Sequence, residues 1–247
     1  VAETILITGG AGTLGRATTD VLLARGDRVR ILDLVDGEPR DGVEWLVGDL
    51  RRPDDVARAV EGTAAVVHAA AWHGMHLPDH PASDFWDLNV DGTFHVFEAA
   101  ANAGITRAVV ASTMGVYGAS RAPGPAGGAT RLHEGLPLKP VNVYELSKVL
   151  TEQIAASYDL RETGGVRSIA LRFGMFVPQP FDHSGIRFLY GGTDDRDIAS
   201  AVVTALDRLR RTKPGDFAAY NVFSALPFDE ADAPLLRTEP IEAIVRH

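Results

Sequence analysis

Tyr144 and Lys148 stand one turn apart on a stretch with helical periodicity, so a phenol and an ammonium share one face and can reach one spot. Far upstream, Gly9, Gly12 and Gly15 follow the apolar run Ile5-Leu6-Ile7-Thr8 and open another helical stretch. That is where the pyrophosphate of a dinucleotide meets backbone N–H groups and the positive end of a helix. The glycines alone point to nucleotide binding; with the Tyr/Lys pair they point to redox chemistry on an alcohol or ketone. A phenol with an ordinary pKa of about 10 is a weak base at neutral pH. A nearby ammonium and the positive nicotinamide both favour phenolate and bring that value toward the working range. Tyr144 would then take a substrate hydroxyl proton, while Lys148 tunes Tyr144 and holds the nicotinamide ribose.

These groups need a scaffold that brings distant loops to one edge. Short apolar runs alternate with amphipathic stretches along the chain, the pattern of a doubly wound parallel sheet. Strands are expected at Thr4–Thr8, Arg28–Leu32, Glu44–Val47, Ala65–His68, Arg107–Ser112 and Ser168–Phe173. Helices are expected at Thr13–Ala24, Pro53–Val60, Asp84–Ala103 and Val143–Thr163. Right-handed crossovers place the loops after the strands at one sheet edge, where ligands bind. Gly118–Gly135, rich in Gly, Pro and Ala, reads as an irregular loop. After Gly174 the alternation breaks down: Met175–Gly192 reads as loop-rich, Asp194–Arg211 as a helix and Tyr220–Ser224 as a late strand. The expected class is α/β, a Rossmann-type doubly wound parallel sheet (1–174) with a small C-terminal substrate lobe (175–247).

Bulk properties narrow the function. The chain has 247 residues, 45% of them hydrophobic, enough for a substantial core. A formal charge of −9 argues against nucleic acid or an anionic membrane as the main partner. With no cysteine there is no disulfide, thiolate nucleophile or Cys-type metal site. No apolar run reaches the roughly 18 residues that span a bilayer, and the first strand begins within a few residues of the start. A cytoplasmic protein without a leader peptide is the expectation.

Gly9, Gly12 and Gly15 have separable tasks: a tight turn, close approach of backbone to phosphate, and close helix–strand packing. Thr13 and Leu14, which open the helix, join them as candidate cofactor contacts. Asp33 ends the next strand, about twenty residues beyond Gly12, where a carboxylate accepts ribose hydroxyls and repels a 2′-phosphate. That favours NAD over NADP; the other reading of Asp33 is a turn or cap aspartate. Asp49 and Leu50 follow the third strand, where Asp49 either reaches the adenine amino group or caps the helix near Pro53. Ala69, Ala70 and Ala71 follow the fourth strand, where small side chains let backbone pass close to a cofactor or simply pack tightly.

Thr8-Gly-Gly-Ala-Gly-Thr-Leu-Gly15, Asp33, Gly48-Asp49-Leu50, His68-Ala-Ala-Ala71, Asn89-Val-Asp-Gly-Thr93, Ser112-Thr-Met-Gly-Val-Tyr-Gly118 and Tyr144-Glu-Leu-Ser-Lys148 occur in that order. Over residues 4–178 the chain resembles the extended short-chain dehydrogenase/reductase family, in its NAD-dependent epimerase/dehydratase branch. The resemblance implies NAD as cofactor, Thr113 as the group that hydrogen-bonds the reacting oxygen with Ser112 beside it, and Asn89 as a residue that orders the active-site helix. It also implies a homodimer through the two long helices.

Substrate contacts are less defined. His73, His76 and His80 lie in Trp72-His-Gly-Met-His-Leu-Pro-Asp-His80. A loop beside Pro78 and Pro81 offers no fixed metal geometry, so no metal is expected. In the resembled family this loop borders the nicotinamide, which makes His73 a candidate substrate contact. Met114 and Met175 are further candidates, and Arg187 is a candidate for an anionic group. Many nucleotide-sugar enzymes of the branch carry Asn where Met175 stands, and a thioether cannot replace amide hydrogen bonds. Met114-Gly115 stand where 4,6-dehydratases carry Asp-Glu, which disfavours elimination of water. The expected reaction is NAD-dependent oxidation of a secondary alcohol on a sugar-like substrate. The family branch leans toward an epimerase, and the short C-terminal region pulls toward a uronate-like dehydrogenase. A dinucleotide sensor without catalysis is the remaining reading, disfavoured by the Tyr/Lys pair.

Overall fold

The structure, a computed structural model, describes residues 2–122, 132–176, 192–225, 232–239 and 242. Seven strands form one sheet: β1 Thr4–Thr8, β2 Arg28–Asp33, β3 Val43–Val47, β4 Ala65–His68, β5 Arg107–Thr113, β6 Arg167–Phe173 and β7 Ala218–Val222. Their order is β3-β2-β1-β4-β5-β6-β7 and every pairing is parallel. The order reverses between β1 and β4, so the loops after these two strands diverge and open a crevice at the C-terminal edge. The doubly wound fold expected from the sequence is therefore present.

Both faces of the sheet are covered, because the strands are apolar on alternate sides. Ile5, Ile7, Val29, Ile31 and Val67 point to one face, under α1 (Thr13–Ala24) and α6 (Asp195–Leu209). Leu6, Leu32, Val66 and Val110 point to the other, under α2 (Pro53–Val60), α4 (Gly92–Asn102) and α5 (Val143–Asp159). The described C-terminal residues thus add an edge strand, β7, and a covering helix, α6, to the same sheet. A last short helix, α7, spans Ala233–Thr238.

Several elements differ from the expected pattern for local reasons. The stretch 84–103 is not one helix but α3 (Ala82–Phe85), a π turn (Trp86–Asp91) and α4. Its cause is visible at Asn89, whose carbonyl accepts the hydroxyls of Thr93 at 2.5 Å and Thr151 at 3.2 Å; groups that compete for a carbonyl in this way disrupt the regular ladder. Helix α5 ends at Asp159 rather than Thr163, and the chain then turns through Gly164 at φ +65°. A 3₁₀ turn over Met114–Arg121 occupies the start of the stretch expected to be irregular, whose residues 123–131 lie outside the described ones. Ser224 falls beyond β7, and its hydroxyl instead accepts the Asp194 amide at the start of α6 at 2.9 Å.

The start of α5 is fixed by reciprocal caps. Asn142 Oδ1 accepts the Glu145 amide at 2.9 Å, and Glu145 Oε2 accepts the Val141 amide at 2.8 Å. At its end, buried Asp159 accepts the amides of Ser168 (3.1 Å) and Phe217 (3.0 Å), tying α5 to the starts of β6 and β7. Replacing Asp159→Ala strands both amides, so we expect a loss of about 2–5 kcal/mol of stability. Urea denaturation measures it, and a loss below about 1 kcal/mol would contradict this role for Asp159.

Candidate active site

The glycine loop between β1 and α1 is held by close backbone contact. Gly9 has φ +71°, and a Cβ there would lie 2.7 Å from the backbone N and Cα of Ala70. A Cβ on Gly15 would overlap Gly10 and the Gly9 carbonyl. Gly12 stands at the N-cap of α1 with no side-chain cap, so the first helical amides, Thr13 and Leu14 among them, keep their donors for a ligand. The Leu14 side chain turns away into the core. Asp33 Oδ2 accepts the Ala11 amide at 3.0 Å, while Oδ1 makes only a 3.4 Å contact to the Val35 amide. One oxygen thus braces the loop and the other faces the crevice edge weakly held.

Of the two readings of Asp49, the structure bears on the cap alone. Its carboxylate pairs with Arg51 at 2.6 Å, which holds its pKa below the usual carboxylate range, chiefly through that side-chain hydrogen bond. The N-cap of α2 is Arg52, without a side-chain cap, so Asp49 is not the capping residue. Leu50 is buried, and its carbonyl bonds His95 Nδ1 at 2.8 Å. Ala69 and Ala70 present their amides to Thr8 Oγ1 at 3.2 and 3.3 Å; Ala71 follows them, half-buried.

Tyr144 and Lys148 enter from α5, beneath the end of β5. Thr113 stands at the end of β5 beside the Tyr144 phenol, and its Oγ1 accepts the Gly115 amide at 3.1 Å. Burial raises the Tyr144 pKa, against a smaller lowering from the Thr113 side chain. The expectation that Lys148 brings the Tyr144 value down is therefore not met in the protein alone. Burial lowers the Lys148 ammonium itself to about 8, with Glu152 pulling the other way. Lys148 has only 4% of its surface exposed and has no hydrogen-bond or ion-pair partner among the described residues. A buried donor of that kind fits a ligand carrying hydroxyls.

Asn89 clamps the neighbouring loop. Its Oδ1 accepts the Trp72 amide at 2.8 Å, and its Nδ2 donates to the Trp72 carbonyl at 3.0 Å and to Ser147 Oγ at 2.9 Å. The next residue, His73, lies parallel to Tyr144, with ring centroids 6.4 Å apart. Burial, then Lys148, lowers its pKa to about 4. His80 turns away, stacks on Trp72 and bonds Asp84 at 2.9 Å. Among the described residues no three His, Cys, Asp or Glu side chains are grouped for a metal, and no helix is long and apolar enough to cross a membrane.

Ser112 is not brought to Tyr144 by any hydrogen bond: its hydroxyl donates to Glu152 at 2.5 Å. Met114 begins the 3₁₀ turn after Thr113, and Met175 is exposed and bridges to Gly192. Arg187 lies outside the described residues.

One seam escaped the sequence reading. Thr8 Oγ1 accepts the Ala69 and Ala70 amides, so its own proton points to His68 Nδ1, 2.8 Å away. His68 is therefore the Nε2–H tautomer and donates to Thr93 Oγ1 at 2.9 Å, which in turn donates to the Asn89 carbonyl. The chain of bonds runs from the glycine-loop strand to the π turn. The available signal was a His at the end of an apolar strand, between Val67 and Ala69.

The model of the NAD dependent epimerase/dehydratase family matches residues 5–184. Uronate dehydrogenase from Pseudomonas syringae pv. tomato is 30% identical over 178 residues, 71% of this chain and 60% of that protein. L-arabinose 1-dehydrogenase (NAD(P)(+)) from Haloferax volcanii is 33% identical over 179 residues, 70% of this chain and 67% of that one. A solved UDP-galactose 4-epimerase superposes with a TM-score of 0.74 at 27% identity, covering 94% of this chain and 81% of the other. The chain belongs to the NAD dependent epimerase/dehydratase family. The matched segment spans about 60% of the length of the uronate dehydrogenase.

The neutral state of His68 has a measurable consequence. Burial, then the Lys148 charge, lowers its pKa to about 3, below an unfolded value of about 6.5. Below pH 6.5 the unfolded chain binds the extra proton, so stability is lost as pH falls. We expect His68 to contribute up to about 1.4 kcal/mol per pH unit between pH 6 and 4. Urea midpoints of wild type and His68→Gln at each pH give the difference; equal pH dependences would contradict a neutral buried imidazole.

Proposed function

We propose that this protein oxidises a secondary alcohol of a sugar or sugar acid with NAD. The observation that carries the reading is Thr113 beside the buried Tyr144 phenol, with buried Lys148 one turn on and without a hydrogen-bond or ion-pair partner among the described residues, at the same sheet edge as the Gly9–Ala70 cradle. When bound, NAD supplies the hydride acceptor. Gly9, Gly12, Gly15 and the first amides of α1 would hold its pyrophosphate, and Asp33 its adenosine ribose, which favours NAD over NADP. Leu50 and Ala69–Ala71 would line its path, with Asp49 near the adenine end. Lys148 donates to the nicotinamide ribose, and its charge favours the Tyr144 phenolate once water is excluded. Thr113 Oγ1 donates to the reacting oxygen while Tyr144 Oη accepts the hydroxyl proton. We assign His73 to the substrate side, where its neutral ring can accept or donate one hydrogen bond, with Met114, Met175 and Arg187 as further substrate contacts. Ser112 we assign to the Glu152 contact rather than to the reacting oxygen.

Epimerase and dehydrogenase share this first step. We favour the dehydrogenase outcome because Met175 offers no amide to a nucleotide sugar. We further propose a cytoplasmic homodimer, supported by exposed Trp86, Phe94 and Leu146 on the helical layer around α4 and α5; light scattering at the monomer mass would argue against the dimer.

Assays with free uronates, aldoses and UDP-sugars, following NADH at 340 nm in the usual way, test the reading. We expect Tyr144→Phe to lower kcat by about 10²–10⁴-fold with little change in NAD affinity. Undiminished turnover would overturn the assignment. Nucleotide released on denaturation separates the outcomes: a site that exchanges added NAD marks a dehydrogenase, and near-stoichiometric retained NAD(H) marks an epimerase.

A further inference from the structure

Behind the candidate site lies a buried ion pair that the redox step does not use. Glu152 is one turn beyond Lys148, so Tyr144, Lys148 and Glu152 form a single stripe along α5. Arg172 on β6 meets it with both nitrogens of its fork, Nε to Oε1 at 2.9 Å and Nη2 to Oε2 at 2.7 Å. Both side chains are nearly inaccessible, at 6% and 2% exposure. Ser112, paired with Arg172 across β5 and β6, adds its 2.5 Å hydrogen bond to Oε1. Arg172 Nη1 donates to Tyr117 Oη at 2.9 Å, and Tyr117 donates to Asn221 on β7 at 2.7 Å. Burial works against the Arg172 charge, and Glu152 with Tyr117 more than reverses that, so its pKa lies above the usual guanidinium value.

Replacing such a pair by apolar groups often leaves stability unchanged or improved. Stability alone therefore does not account for a carboxylate at this spot. What the pair does provide is location: it joins the helix of Tyr144 and Lys148 to the end of β6, and the Ser112 hydrogen bond joins Glu152 to the end of β5 that carries Thr113. We propose that Glu152, held by Arg172 and Ser112, is a positioning residue that sets the charge state of Lys148. The proposal rests on the reading of Lys148 as the group that holds the nicotinamide ribose.

The charged and titratable surroundings of Lys148 support this. Tyr144 and Glu152 face it from α5, His68 from the end of β4 and His73 from the following loop. Ser112 and Thr113, from β5, are uncharged, and Arg172 on β6 reaches the region through Glu152. His68 and His73 are both neutral near pH 7, with values of about 3 and 4. Glu152 is thus the anion among these neighbours, and it opposes the burial that lowers the Lys148 value to about 8. A lysine that titrates there is an ammonium donor below pH 8 and loses its charge as pH rises through that value.

Lys139, Lys148 and Lys213 are the only lysines of the chain, so ¹³Cε-lysine NMR resolves the titration without substrate or turnover. We expect a Lys148 midpoint near 8 in the wild type. In Glu152→Gln/Arg172→Gln, which removes both charges and keeps neutral hydrogen-bonding groups, the midpoint moves down by about one pH unit. Glu152→Asp, which keeps the charge, stays near the wild type. NAD affinity read by tryptophan fluorescence falls at the same lower pH in the double variant. A purely structural pair predicts a thermal midpoint that changes in the double variant and a Lys148 titration that does not; that result overturns the proposal. So does a wild-type Lys148 midpoint of about 10.4, which needs no variant. If Lys148 titrates as expected but NAD affinity ignores its charge, the ribose assignment fails instead.

Discussion

Placing a lysine ammonium in the interior is the constraint around which this fold is arranged. An isolated buried charge is costly, and a lysine with room to move reaches for water or loses its proton. Lys148 does neither freely, because α5 is fastened at every level. Asn142 and Glu145 lock its first turn, Asn89 grips Ser147 in the next, Glu152 is bolted to β6, and Asp159 closes the far end on β6 and β7. The Lys148 donors are left without a hydrogen-bond acceptor among the described residues.

The second anchored body is the glycine loop, and the two are joined by a neutral polar seam. Thr8, His68, Thr93 and the Asn89 carbonyl form a directed series of hydrogen bonds with no net charge. Such a seam is short-ranged and geometrically strict, since each proton has one acceptor. The charged Glu152–Arg172 pair does the complementary work at the other end of the site. One side of α5 is thus set by neutral geometry and the other by field.

Much of this was readable from residue types. The alternation of apolar runs and amphipathic stretches gave the doubly wound sheet, because a strand covered on both faces and a helix covered on one have distinct periods. Gly9, Gly12 and Gly15 were legible because their spacing sits between a strand and a helix. Glu152 and Arg172 were not, since a charged residue in a sequence reads as solvent-facing until its partner, twenty residues away, is known to lie opposite. Thr8, Thr93 and Thr151 read as ordinary β-branched or helical positions, and their hydroxyl networks are tertiary. The break in the helix at 86–91 left no mark either: no Pro or paired Gly announces it, and only the Thr93 and Thr151 hydroxyls at the Asn89 carbonyl account for it.

That break rephases the helix. A π turn inserts extra residues per revolution, so the faces before and after it are out of register. Phe85, ahead of the turn, is buried with its ring edge toward Tyr144, 6.5 Å between centroids, whereas Val96, Phe97 and Ala100 beyond it belong to the sheet-facing core. One continuous rod thereby serves two cores that a regular helix could not face together. Among descendants of this chain, a one-residue deletion here would be neither a loop trimming nor a neutral shortening: it would turn Phe85 out of its contact with Tyr144 while the residues that remain are unchanged.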